Sequence, residues 1–169
     1  MNKEKQLAFD KRYLRMAQIW AENSYAIKRQ VGCLIVKDNS IISDGYNGTP
    51  SGFENVCEEA YYCNYYSNCT DKVAVGVQEL ETCKKCKHVK LVTKPYVLHA
   101  EANAISKLAK GTNHADGATL YVTDAPCLEC SKMIIQCGIR RVVYSREYHT
   151  NAGKELLKRA GIIVEQISI

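Results

Sequence analysis

The sequence predicts a single α/β domain spanning residues 1–169: a three-layer αβα sandwich on a mixed central sheet of about five strands, interrupted by an irregular Cys-rich insertion. Three observations point there. From residue 98 onward, apolar runs of strand length alternate with amphipathic helical stretches, the pattern of βα units with parallel pairing. Nearer the start, two apolar runs flank a tight-turn signal, which adds antiparallel pairing. The length, 169 residues, suits one hydrophobic core and strains to supply two.

The elements follow in order. Residues 4–23 place Leu7, Leu14, Ala17 and Ile19 near helical spacing among charges, predicting an amphipathic first helix. After Gly32, "CLIVKDNSIISDGY" reads as a hairpin turning at Lys37-Asp38-Asn39-Ser40. "GYNGTPSG" (45–52) holds too many breakers for a regular element and is a loop of enforced shape. From about residue 54 to 95, no period of either kind is sustained, and the stretch is rich in Cys and Tyr but poor in aliphatics. Beyond it, "LHAEANAISKLAKG" predicts a helix with Ala102, Ile105, Leu108 and Ala109 on one face, stopped at Gly111. "ATLYVT" is a buried strand, and "APCLECSKMIIQCG" a helix whose proline suits the first turn. "IRRVVYS", "GKELLKRAG" and "IIVEQI" complete the alternation as strand, helix and strand.

Composition narrows the class. An apolar fraction of 46% with 24% charged residues excludes a disordered or membranous chain. No apolar run reaches bilayer-spanning length, and "MNKEKQLAFDKRY" has charges where a signal peptide is apolar, so a cytoplasmic protein is expected. The net charge of +5 is spread along the chain and suits an anionic small molecule as well as a nucleic acid. Nine cysteines in a reducing compartment imply free thiols or metal thiolates rather than disulfides. Cys33 and Cys137 sit singly among apolar neighbours and read as inert core residues.

The chemistry concentrates in "HAE" (99–101) and "PCLEC" (126–130), which open two helices on either side of the strand "TLYVT". His99, Cys127 and Cys130 thereby face one crevice, where tetrahedral zinc could take one nitrogen and two thiolates and keep a fourth position for water, the catalytic pattern. The helix N-terminus and the metal both favour thiolate at the two cysteines. Glu101, two residues from His99, misses the metal while reaching the bound water, as a proton shuttle must. Each feature alone has a plainer reading, as a cap, a favourable helix charge or a structural knuckle. Their joint order, H-x-E then P-C-x-x-C, is the signature of zinc-dependent nucleobase deaminases.

These residues resemble the cytidine and deoxycytidylate deaminase superfamily, and within it the deoxycytidylate (dCMP) deaminases. "VGCLIVKDNSIISDGYNGTPSG", "HAEANAI" and "GATLYVTDAPCLECSKMIIQCGIRRVVYS" carry the likeness, which covers most of the chain outside residues 54–95. One departure is Cys33, where the family usually has alanine. The resemblance implies a cytidine deaminase-like fold, zinc at His99, Cys127 and Cys130, and Glu101 as shuttle in hydrolysis of dCMP to dUMP and ammonia, feeding thymidylate synthesis. It further implies that the Ala100 amide holds the pyrimidine, that Asn47 contacts the sugar, and that Asn103 belongs to the same pocket. Asn47 has the alternative of a plain turn residue. For the phosphate, Lys28 and Arg29 are the candidates, against a solvated charged turn, while Lys110 at the end of the zinc helix could instead serve a subunit contact or the helix C-terminus. The family also implies a homo-oligomer, commonly a hexamer, regulated by dCTP and dTTP with Mg2+, with the glycine loop in the responsive region.

Some relatives of this type carry a second, structural zinc. Cys57, Cys83, Cys86 and His88 would make a closed set here, and Cys63 and Cys69 could replace Cys57 and His88. The alternatives are a redox pair at Cys83 and Cys86 or idle thiols in a loop. Two rival functions remain open at this point. A polynucleotide deaminase could use "KKCKHVK" as its grip, although the charge is modest and no sustained basic stripe exists. A zinc-stabilised binding protein without turnover is opposed by the presence of Glu101 and all three ligands.

Overall fold

The computed structural model describes residues 2–62, 73–74 and 89–169. Helix α1 (Lys3–Ala21) starts at Asn2, whose side chain accepts from the Glu4 N–H at 2.9 Å. It is followed by β1 (Gly32–Lys37) and β2 (Ser40–Tyr46). Their antiparallel pair closes through Asp38 and Asn39, both at positive φ (50° and 62°), a two-residue turn whose twist matches the strands and which Asn and Asp tolerate. After the glycine loop come β3 (Glu58–Tyr62), β4 (Val73–Ala74) and β5 (Val89–Thr93), then α2 (Ala100–Leu108), β6 (Thr119–Asp124), α3 (Leu128–Gln136), β7 (Arg141–Arg146), α4 (Ala152–Arg159) and β8 (Ile163–Gln166).

The five-stranded sheet has the order β2-β1-β6-β7-β8, antiparallel at β2-β1 and β1-β6 and parallel from β6 to β8, so the expected mixed sheet is found. Side chains alternate across it. Leu34, Val36, Tyr121 and Val143 pack under Tyr13, Leu14 and Ala17 of α1. Cys33, Ile35, Leu120, Val122 and Val142 point the other way, against Ala100 and Ala104 of α2, Ile134 of α3 and Leu157 of α4. Two glycines let helices sit unusually close to strands: a Cβ on Gly32 would lie 1.9 Å from the Ala17 carbonyl oxygen, and one on Gly45 would lie 2.2 Å from that of Ala100. Gly45 thus sets the height of α2 over β2.

Several details differ from the expectations. Leu7 and Ile19 of α1 are 45% and 62% exposed, while Asp10 and Tyr13 face inward with Leu14 and Ala17. The reason is a buried polar cluster at the amino end of the parallel strands. Arg141 of β7 donates twice to the Asp10 carboxylate (2.8 and 2.7 Å), Tyr121 donates to it at 2.7 Å, and Gln6 at 2.9 Å. On α2, Ala104 rather than Ala109 lies in the core, and the helix ends at Leu108, before Gly111. Pro126 lies ahead of the cap Cys127 and so precedes the first turn of α3. Part of the stretch expected to be irregular forms a second, antiparallel sheet, β4-β3-β5. Its strands are short and rest on pairing between distant segments, which periodicity within one segment does not reveal. Cys33 is fully buried, as expected of a core thiol, whereas Cys137 is half-buried and donates to the Met133 carbonyl at 2.6 Å. Among the described residues, no helix is long and apolar enough to cross a membrane.

Candidate active site

The carboxyl ends of β6 and β7 and the amino ends of α2 and α3 converge on one cavity of about 290 Å³. His99 is the N-cap of α2 and Cys127 that of α3, both with extended backbone (φ −70°, ψ 157° and φ −73°, ψ 171°). The side chains therefore leave the chain before the helices begin and meet in front of two positive helix ends. His99 Nδ1 lies 3.4 Å from Cys127 Sγ and 3.5 Å from Cys130 Sγ. Ligand atoms of the three residues lie within 4.8 Å of one another, and among the described residues this is the one group of metal-ligating side chains so gathered. One nitrogen and two sulfurs at mutual contact distance is a donor set that fits zinc.

The electrostatics suit that fit. Cys127 is pulled down to about 3, first by the hydrogen bond from the Cys130 thiol, then by His99 and the Cys130 amide. Cys130 is pushed well above the usual thiol value, first by its hydrogen bond with Cys127 and then by burial. Of the two, Cys127 is held toward its charged form and Cys130 toward its neutral form, and an added cation would favour the thiolate of both. His99 is raised chiefly by its hydrogen bond with Cys127. Glu101, in the first turn of α2 and 4% exposed, is pushed up to about 7 by burial, against the opposing pull of its hydrogen bonds and His99.

Of the residues expected around the substrate, Lys28, Arg29, Asn47 and Ala100 line this cavity with His99, Glu101 and Cys127. Asn47 also serves as a brace: its Oδ1 accepts from the Val31 N–H at 2.8 Å and its Nδ2 donates to the Arg29 carbonyl at 2.9 Å. Asn103 does not line the cavity; its amide donates to the Tyr46 carbonyl at 2.9 Å and ties α2 to the end of β2. Lys110 lies exposed past the end of α2, also away from the cavity. Cys57 is buried just ahead of β3, and Cys63, Cys69, Cys83, Cys86 and His88 lie outside the described residues. Sequence reasoning passed over Glu58, Asp124, Tyr148 and His149, all of which line the cavity. Asp124 ends β6, and Tyr148 and His149 follow β7. The rule that open α/β sheets bind ligands beyond the carboxyl ends of their strands could have drawn attention to these three.

The sequence matches the cytidine and deoxycytidylate deaminase zinc-binding region over residues 7–146. The chain belongs to the cytidine and deoxycytidylate deaminase family. That membership makes zinc the metal for which the His99, Cys127 and Cys130 set is the candidate. Among family members, the deoxycytidylate deaminase of Enterobacteria phage T4 is 32% identical over 89% of this chain and 86% of that protein. The deoxycytidylate deaminase of Schizosaccharomyces pombe is 36% identical over 94% of this chain, which spans only 44% of that longer protein. The crystal structure of dCMP deaminase from the cyanophage S-TIM5, in complex with dCMP and dUMP, matches with a TM-score of 0.73 and 34% identity over 99% of both chains.

Proposed function

We propose that this family member hydrolyses dCMP to dUMP with release of ammonia. The observation that carries the reading is a buried carboxylate, Glu101, next to a His-Cys-Cys donor set, in a cavity that also holds Lys28 and Arg29. Zinc, when held by His99, Cys127 and Cys130, supplies the Lewis acidity that makes water a nucleophile near neutral pH.

The chain's own residues divide the remaining tasks. Glu101, pushed up to about 7, can both take and give a proton near neutrality, as a shuttle between the attacking water, the ring nitrogen and the departing amine requires. Ala100, fully buried at the start of α2, presents its backbone to the pyrimidine edge. Asn47 has a second amide hydrogen and a second lone pair beyond its two braces, which suits a sugar hydroxyl. Lys28 and Arg29 provide the cations a 5′-phosphate needs. The aromatic rings of Tyr148 and His149, 4.1 Å apart, wall the cavity and help exclude water. A structural zinc held by Cys57, Cys83, Cys86 and His88, or with Cys63 and Cys69 in place of Cys57 and His88, a homo-oligomeric assembly, and dCTP or dTTP regulation with Mg2+ belong to the same proposal.

The deciding assay is ammonia release from free dCMP, set beside single-stranded oligonucleotide and tRNA. Conversion of dCMP to dUMP at a rate far above the polymers supports the reading; turnover of polymer alone, or of nothing, overturns it.

A further inference from the structure

Lys28 and Arg29 line the cavity, and the segment 27–30 that carries them is held from several sides. Its backbone N–H groups at Ile27 and Lys28 donate to the buried Glu58 carboxylate (3.1 and 3.3 Å), and the Arg29 carbonyl accepts from Asn47. The Arg29 side chain, half exposed, reaches Asp124, with Nε 2.5 Å from Oδ2. The other oxygen of the same carboxylate accepts from Arg146 Nε at 2.6 Å. Asp124 and Arg146 are register partners at the ends of the parallel strands β6 and β7, and the Ala125 N–H donates to the Arg146 carbonyl at 2.8 Å, so the sheet fixes the carboxylate's base. Arg29 and Asp124 line the candidate active site, whereas Arg146 lines a separate cavity that Arg29 shares. Arg146 therefore backs Asp124, and Asp124 faces Arg29.

Such an arrangement contributes little to stability. Half-exposed guanidiniums gain little from ion pairing, while the Asp124 side chain, 7% exposed, has lost most of its hydration. What it does achieve is orientation. The shortest contact between Asp124 and Arg29 is made through Nε, at the stem side of the guanidinium. A carboxylate held at Nε leaves the Nη edge of a guanidinium as the one that can fork onto a phosphate.

We propose that Asp124 is a positioning residue for the 5′-phosphate of the substrate: braced by Arg146, it aims the Nη edge of Arg29 into the cavity. This rests on the dCMP reading above. Steady-state kinetics on dCMP and on deoxycytidine, for the wild type, Asp124→Asn, Arg29→Ala and the double variant, provide the test.

Asp124→Asn is expected to raise KM for dCMP about tenfold with kcat moving less than about threefold, and to cut the preference for dCMP over deoxycytidine by the same factor. In the Arg29→Ala background the same substitution should add less than about twofold, because the residue it aims is gone. Arg146→Gln, at a half-exposed position, should shift KM in the same direction by a smaller factor and serves if Asp124→Asn folds poorly. Equal losses on both substrates, or additive effects of Arg29 and Asp124, would overturn the proposal. A wild type without dCMP turnover sinks the functional reading instead. Calorimetric preference for dUMP over deoxyuridine, lost in Arg29→Ala and Asp124→Asn, then still decides the positioning role, and a wild type with no such preference refutes it.

Discussion

In the proposed reaction Glu101 is the proton shuttle, because burial pushes its carboxyl up to about 7, where it can both accept and donate. Glu101→Gln keeps the shape and removes that capacity. Ammonia release should fall by about 10²–10⁴-fold, while metal analysis finds zinc content as in the wild type, since Glu101 is not among the three gathered donors. A large loss of zinc in the variant would instead make Glu101 a ligand. Cys33 offers a contrast at the same scale. Its thiol is fully enclosed and burial pushes its pKa well up, so alkylation of the native protein followed by peptide mapping should leave Cys33 unmodified until the chain unfolds. The gathering of His99, Cys127 and Cys130 was legible in sequence because H-x-E and P-C-x-x-C each stand at a helix opening and point to one chemistry when read together. Asp124 and His149 were not, since a carboxylate or imidazole after a strand gains meaning only from what faces it across the sheet.

Elements transmit these requirements. Gly45 of β2 leaves no room for a side chain, as an added Cβ would lie 2.2 Å from the Ala100 carbonyl oxygen and 2.6 Å from the Ala104 nitrogen. Gly45→Ala should destabilise by about 1–3 kcal/mol, the usual range for overpacking. It should also lower activity, because α2 carries His99, Ala100 and Glu101; urea unfolding and ammonia release measure the two effects. Helix α1 depends on a charge instead. Burial alone would raise the Asp10 carboxyl, but hydrogen bonds from Arg141, Tyr121 and Gln6 outweigh it and hold the pKa below the ordinary 3.8. The stabilisation is therefore present above that value and is lost as pH falls through the lower folded value. Asp10→Ala should cost about 3 kcal/mol at neutral pH by leaving Arg141 short of its partner, and the gap to wild type should narrow in urea titrations below 3.8. The hairpin at Asp38-Asn39 and the helices near the site were readable because their signals lie within a few residues. The inward turn of α1 was not, because Asp10 and Arg141 meet across 131 positions of sequence. The β3 and β5 strands were hidden by the same kind of distance.

At the scale of the whole molecule, the sheet order explains why a single metal position can assemble from residues so far apart in the chain. Two parallel crossovers bring the amino ends of α2 and α3 to the same edge as the carboxyl ends of β6 and β7. Purified protein is expected to hold about two zinc ions per chain if the insertion thiols also ligate, and chelation should abolish ammonia release reversibly. A content of about one would remove the structural zinc and keep the catalytic one. The central sheet was legible as a class from alternation alone, whereas the pairing of β1 with β6, which joins its two halves, is a choice that local pattern does not encode. The same sheet keeps two kinds of residue apart. Thr119 and Arg141 begin the parallel pair beside the Asp10 cluster, and Asp124 and Arg146 end it beside the cavity. Under the dCMP reading, changes at the cavity pole are therefore expected to leave the Asp10–Arg141 pair at the other intact. A lineage could drift in nucleotide preference without disturbing the Asp10–Arg141 pair that anchors α1, and a laboratory library confined to residues 28, 29, 148 and 149 could exploit the same separation.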